Sequence, residues 1–229
     1  MSTSVLYWII FIGIALASWL VSYSLKRKFE RYSQEPLGMT GCEVAQKMLN
    51  DHGIDDVEVT CIEGQLTDHY NPATKTVNLS EEVYYGANVA AAAVAAHECG
   101  HAVQHATAYG PLGLRSALVP VVSFSSKWVT WILLAGLLLI GIGIGRVLLL
   151  IGIGLYALIT LFSFITLPVE VNASQRAVAW LQESGITDRE TSEMASDALH
   201  SAAYTYVVAA LSALATLIYY ILVFMGSKR

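Results

Sequence analysis

The spacing of its charges constrains this chain most. Val5 to Leu25 runs 21 residues without a charge, Val147 to Leu167 another 21, and Ala203 to Met225 runs 23. A bilayer core is crossed by about 20 apolar residues in a helix, so each stretch has the length and character of a membrane span. A fourth, Trp128 to Gly145, is 18 residues rich in Leu, Ile and Gly. Only Arg146 separates it from the next stretch, and Lys127 blurs its start. The pair reads as a tight transmembrane hairpin.

Nineteen of the 31 charged residues lie between Lys26 and Arg115 and eight between Glu170 and Asp197; Lys127, Arg146, Lys228 and Arg229 make up the rest. Only 14% of the chain is charged and 55% is hydrophobic, whereas soluble domains carry about 25% charged residues. These proportions exclude an ordinary soluble domain and, by their hydrophobicity, a disordered one. The net charge is −5 with no basic stripe, so no nucleic-acid partner is expected. Cys42, Cys61 and Cys99 form no CxxC pair, which fits a reducing compartment better than a disulfide scaffold.

The order of charges also gives an orientation. Met1-Ser2-Thr3-Ser4 is uncharged, and Lys26, Arg27, Lys28 and Arg31 follow the first apolar stretch. A signal peptide has its positive charge first, so this stretch reads as a permanent anchor. The positive-inside rule then places residue 26 onward in the cytoplasm. Ten of the 13 Lys and Arg residues, Lys127 included, fall on that side. The expected organisation is an anchor over 1–25, a first cytoplasmic part over 26–127, the hairpin over 128–167, a second cytoplasmic part over 168–202 and a last span over 203–229. Both polar parts face one compartment, so one split domain is expected rather than two.

Within the first polar part, Thr40-Gly-Cys-Glu43 reads as a capping box, with a helical stripe of Val44, Ala45, Met48 and Leu49 ending at Gly53. Residues 56–63 alternate as a strand, and Lys75 to Leu79 read as its hairpin partner after a turn at Asn71-Pro72. The Ala-rich run from Asn88 reads as a helix capped by Asn88 and stopped at Gly110-Pro111. In the second part, residues 170–183 have helical spacing up to Ser184-Gly185, and Thr187-Asp-Arg-Glu190 reads as a capping box opening the next helix.

The Ala-rich helix contains His97-Glu98-Cys99-Gly100-His101, an HExxH motif. Four-residue spacing brings both imidazoles to one helix face, where they can grip one metal ion. Glu98 flanks them, within reach of a proton from water at the metal. Two neutral imidazoles and an open position suit Zn2+. The alternative, a pair of solvated surface histidines, fits poorly with flanks of AVAA and AVQ. Two buried histidines and a buried glutamate would cost several kcal/mol if left unsatisfied.

A catalytic zinc takes three protein ligands. Candidates for the third are His105, Glu170, His200 and the His69/Asp68 pair. His105 follows one turn along the same helix, and three ligands in line cannot converge on a tetrahedral ion. Glu170 is better placed: it follows Pro168 at the end of an apolar stretch, where an isolated carboxylate would be costly. His69 and Asp68 read more readily as a turn-stabilising pair.

The anchor, DHYNPATKTVNLS, AAHECGHAVQH, the apolar hairpin and LPVEVNASQRA together resemble the YugP-like family of bacterial zinc metallopeptidases. They are distantly similar to membrane gluzincins of the HtpX and CAAX-processing type. The resemblance implies His97, His101 and Glu170 as zinc ligands and Glu98 as general base. It implies a mainly α integral membrane protein, with about four transmembrane helices and a split cytoplasmic zincin-like α+β metallopeptidase domain. The implied activity is zinc endopeptidase action on peptide or protein substrates, membrane proteins among them, at the cytoplasmic face of a bacterial inner membrane. The membrane gluzincins usually carry an Asp four residues after the ligand Glu; here that position is Ser174, with Asn172 nearby.

A peptide is expected to add to the edge of the TVNLS strand. His200, Tyr204 and Tyr206 are candidate oxyanion donors, although the tyrosines suit an interfacial aromatic belt as well. A channel or transporter would carry ionisable groups inside its spans, and these stretches carry none apart from the edge residues Lys127 and Arg146. The alternative function is a non-catalytic zinc-binding membrane scaffold, which would have no use for Glu98.

Overall fold

The computed structural model describes residues 3–226; Met1, Ser2 and 227–229, including the charges of Lys228 and Arg229, lie outside the described residues. The elements run α1 (Thr3–Tyr32), α2 (Gly41–Asp51), β1 (Glu58–Ile62), β2 (His69–Asn71), β3 (Thr76–Ser80), α3 (Glu81–Tyr84), α4 (Val89–Ala106), α5 (Gly110–Leu138), α6 (Gly143–Glu183) and α7 (Arg189–Gly226). The protein is mainly helical with one small sheet. Trp8–Tyr32, Gly110–Leu138, Gly143–Glu183 and Arg189–Gly226 are each long and apolar enough to cross a membrane.

The residues form two compact units. One comprises the described parts of Met1–Leu20, Leu114–Leu167 and Thr205–Arg229. Here α5 and α6 pack closely: a Cβ on Gly136 would lie 2.7 Å from the Leu149 backbone nitrogen, and Val129, Leu133 and Leu149 are buried together. Small residues permit such approach where no hydrophobic force between helices is available.

Two boundaries of α5 and α6 differ from the sequence expectation. The α5 helix begins at Gly110, because Pro111 is tolerated in the first turn, where its missing N–H has no helical partner. The hairpin turns at residues 139–142, among Ile and Gly, and not at Arg146. Arg146 instead lies in α6 with its guanidinium 5.4 Å from the centre of the Phe224 ring, a favourable cation–π distance.

The other unit, Val21–Gly113 with Pro168–Tyr204, brings both polar segments together. Its core joins Val44, Ala45, Met48 and Leu49 of α2, Val77 and Leu79 of β3, six of the alanines of α4 from Ala90 to Ala102, Ala177, Trp180 and Leu181 of α6, and Ala195, Ala198 and Leu199 of α7. Each fully buried Met or Leu side chain contributes about 1.5–3 kcal/mol by leaving water. The capping box at Thr40 forms as expected, with reciprocal bonds between Thr40 and Glu43. Asn88 caps α4 by accepting from the Ala91 N–H.

The sheet corrects the expected hairpin. Its strand order is β1-β3-β2; β1 pairs parallel to β3 and only β2 pairs antiparallel to it. The chain returns through β2, and the hairpin lies between β2 and β3. TVNLS is therefore the central strand and offers no edge to a peptide. At the other segment, α6 continues through Pro168, so Glu170 is inside a helix rather than at its start. The cap before α7 is displaced by one residue from Thr187. Asp188 Oδ1 accepts the Thr191 N–H and the Asp188 N–H donates to Thr191 Oγ1.

Candidate metal centre

The centre is built where α4 crosses the second half of α6. Fourteen of the 18 residues of α4 are buried, as its alanine content requires. At the crossing a Cβ on Gly100 would come 2.6 Å from the Ala173 carbonyl oxygen, so only glycine allows this approach. On either side of that contact α4 presents His97 and His101, and α6 presents Glu170 and Ser174.

Glu170 Oε2 lies 3.3 Å from His97 Nε2 and 3.5 Å from His101 Nε2. The three side chains offer ligand atoms all within 4.8 Å of one another, and form the one such group among the described residues. These separations fit a zinc ion. Bonds of about 2.0–2.2 Å place the ligands of a tetrahedral ion about 3.4 Å apart, which is the spacing of Glu170 Oε2 from each of the two imidazoles.

The opposite nitrogens support the same assignment. His97 Nδ1 is 3.1 Å from Ser174 Oγ, and His101 Nδ1 is 3.0 Å from Gln104 Oε1. With Nδ1–H donating to these oxygens, each Nε2 lone pair is aimed at the shared position, as in metal-binding histidines generally. The Gln104 amide is itself fixed, donating to the Val169 carbonyl at 2.8 Å and to Asn172 Oδ1 at 3.0 Å. Arg176 Nε donates to the same Asn172 oxygen.

Glu98 and Glu170 are both buried beside the imidazoles, giving an excess of negative charge suited to a cation. Burial alone would push the His101 pKa down. Its hydrogen bond to Glu170 and the nearby Glu98 charge reverse this, and the net shift is upward. Glu98 is oriented from outside its helix: the Tyr70 backbone N–H, on β2, donates to Glu98 Oε2 at 3.0 Å. Cys99, within the motif, points away. Its thiol donates to the Ala45 carbonyl and burial pushes its pKa well up, which keeps it protonated and inert.

The other candidates are placed elsewhere. His105 Nδ1 pairs with the Tyr70 hydroxyl at 2.9 Å. His69 Nδ1 donates to the Thr67 carbonyl, while Asp68 accepts from the Ser80 N–H and hydroxyl; they stabilise the turn and strand separately. His200 pairs with Ser196 Oγ and lines a cleft of about 450 Å³ with Arg189, Glu193 and Asp197. Tyr204 is exposed, and Tyr206 belongs to the apolar unit.

Sequence reasoning named Ser174 and Asn172 but missed Gln104 and Tyr70. Gln104 is three residues after His101, a spacing that places both on one helix face and could have marked it. No local signal marks Tyr70, whose role comes from the packing of a three-residue strand.

Residues 7–225 match the family described as "Putative neutral zinc metallopeptidase". The chain is also similar to the "Putative membrane protease YugP" of Bacillus subtilis (strain 168), at 40% identity over 221 residues, covering 94% of this chain and 95% of that protein. No solved structure matches it significantly. With a family match from residue 7 to residue 225 and this identity along nearly its whole length, the chain belongs to the YugP-like family.

Proposed function

We propose that this chain is a membrane-bound zinc endopeptidase, with its centre facing the cytoplasm of a bacterial cell and acting in protein processing or quality control. The observation that carries the reading is the meeting of His97, His101 and Glu170, with the carboxylate at tetrahedral spacing from both imidazoles, beside a buried glutamate of the same HExxH helix. His97 and His101 through Nε2 and Glu170 through Oε2 would hold the ion. Zinc, when bound, supplies Lewis acidity that polarises a carbonyl and acidifies water.

The chain's own groups do the rest. Glu98 takes the proton of the hydrolytic water and returns it to the leaving amine. The Tyr70 amide fixes one of its oxygens, so the carboxylate keeps its orientation as its charge changes. The outer edge of β2 lies beside Glu98 and its Tyr70 N–H is held by that carboxylate, so an extended peptide lying there would gain main-chain hydrogen bonds through the remaining groups of the edge, at any sequence. This edge replaces the one expected on TVNLS.

A Glu98→Gln variant separates this reading from the zinc scaffold. It should bind as much zinc as the parent, while cleavage of an unstructured protein falls by about 10²–10⁴-fold. Chelation should abolish cleavage by the parent, and added zinc should restore it. A parent that holds zinc but cleaves nothing would leave the scaffold reading standing.

A further inference from the structure

A second cavity, of about 160 Å³, lies along the same face of α4 as Glu98. Its lining includes Ile54, Val57, Tyr70, Ala102, His105 and Ala106. The floor is apolar: Ile54, Val57 and Ala102 are buried, and the two alanines, one turn apart, leave the space open. The rim is polar, formed by the Tyr70–His105 hydrogen bond and the ion pair of Lys75 with Asp56. Small-molecule and cofactor pockets span about 300–1,000 Å³, so this cavity is too small for either. One aliphatic side chain fits it.

Its position ties it to the hydrolytic site. Glu98, Ala102 and His105 follow at i, i+4 and i+7, one stripe of the helix. The four residues from Glu98 to Ala102 advance about 6 Å along the axis. An extended peptide repeats its side chains on one face about every 6.6 Å. Tyr70 joins the two places, since its N–H holds Glu98 while its side chain lines the cavity.

We propose that this cavity is the side-chain subsite that sets sequence preference. It takes one unbranched or γ-branched apolar residue, Met or Leu, of a peptide lying along β2, within two residues of the bond beside Glu98. The polar rim rejects longer apolar side chains by leaving its hydrogen-bonding groups covered and unpaired. The proposal rests on the reading of the centre as a peptidase, and it is tested by binding so that the two can fail separately.

The test uses the full chain in detergent, zinc-loaded and carrying Glu98→Gln, with fluorescent Gly/Ala hexapeptides in which each position in turn is Ala, Leu, Met, Trp, Glu or Lys. One position should favour Leu and Met over Ala by about tenfold or more, since a single methylene in an apolar pocket is worth about 10–200-fold, and disfavour Trp, Glu and Lys. Adding Ala106→Leu, which fills the outer end of the cavity at an exposed site, should erase that preference with zinc content equal to the parent's. A set of peptides with no apolar preference at any position overturns the proposal, as does a preference that survives Ala106→Leu. If the preference appears but the parent cleaves no peptide, the subsite stands and the peptidase reading falls.

Discussion

At the scale of single residues, the centre depends on what holds the back of each imidazole. Ser174 Oγ, an uncharged partner, stands 3.1 Å from His97 Nδ1. A hydroxyl accepts the Nδ1–H without adding charge, so His97 is oriented but less strongly polarised than by a carboxylate. Gln104 does the same for His101. Losing such a partner typically costs 10–100-fold in metal affinity. Ser174→Ala and Gln104→Leu should each weaken zinc binding by about that range in competition with a chelating dye. Ser174→Asp should retain it, because the acceptor is restored. Unchanged affinity in both deletion variants would mean that packing alone fixes the rings.

At the scale of elements, the α4–α6 crossing sets the site, and Gly100 sets the crossing. A Cβ there would meet the Ala173 carbonyl oxygen at 2.6 Å, and a backbone atom cannot swing aside as a side chain can. Gly100→Ala should push α6 outward between Glu170 and Ser174. Peptide hydrolysis should fall by about 10²-fold, as for other misplacements near 1 Å, and zinc affinity should fall with it. Gly113→Ala, where a Cβ meets nothing within 4 Å, is the matched control. Equal zinc affinity in the two variants would overturn the argument. The α4 helix was readable because its causes are local: alanine content, the Asn88 cap and four-residue spacing of the histidines. So was the capping box at Thr40. Burial of a carboxylate at Glu170 called for a partner, but His105, His200 and the His69/Asp68 pair stood open beside it until the fold brought α6 against α4. The sheet was not readable. β2 has three residues, too few to show a period, and its pairing with β3 is decided by packing. Pro168 misled for a related reason, since a helix held by neighbours on both sides of the proline continues despite one lost hydrogen bond.

At the scale of the whole molecule, the proposed orientation rests on charge alone. Lys26, Arg27, Lys28 and Arg31 follow the first apolar stretch, and cytoplasmic loops collect such residues. Four crossings then put both polar segments inside and the hairpin turn, residues 139–142, outside. The cysteines supply a native probe of this arrangement, because Cys61 is exposed while Cys42 is half-buried and Cys99 is buried. In intact cells a membrane-impermeant maleimide should leave Cys61 unlabelled, and in inverted membrane vesicles it should label it. A Cys61→Ser chain carrying Ile142→Cys, at an exposed turn position, should behave the opposite way. Labelling of Cys61 from outside intact cells, with Ile142→Cys protected, would turn the protein over. The HExxH centre shares a compact unit with Cys61 and would turn with it, so the substrates would have to be sought in the extracytoplasmic space.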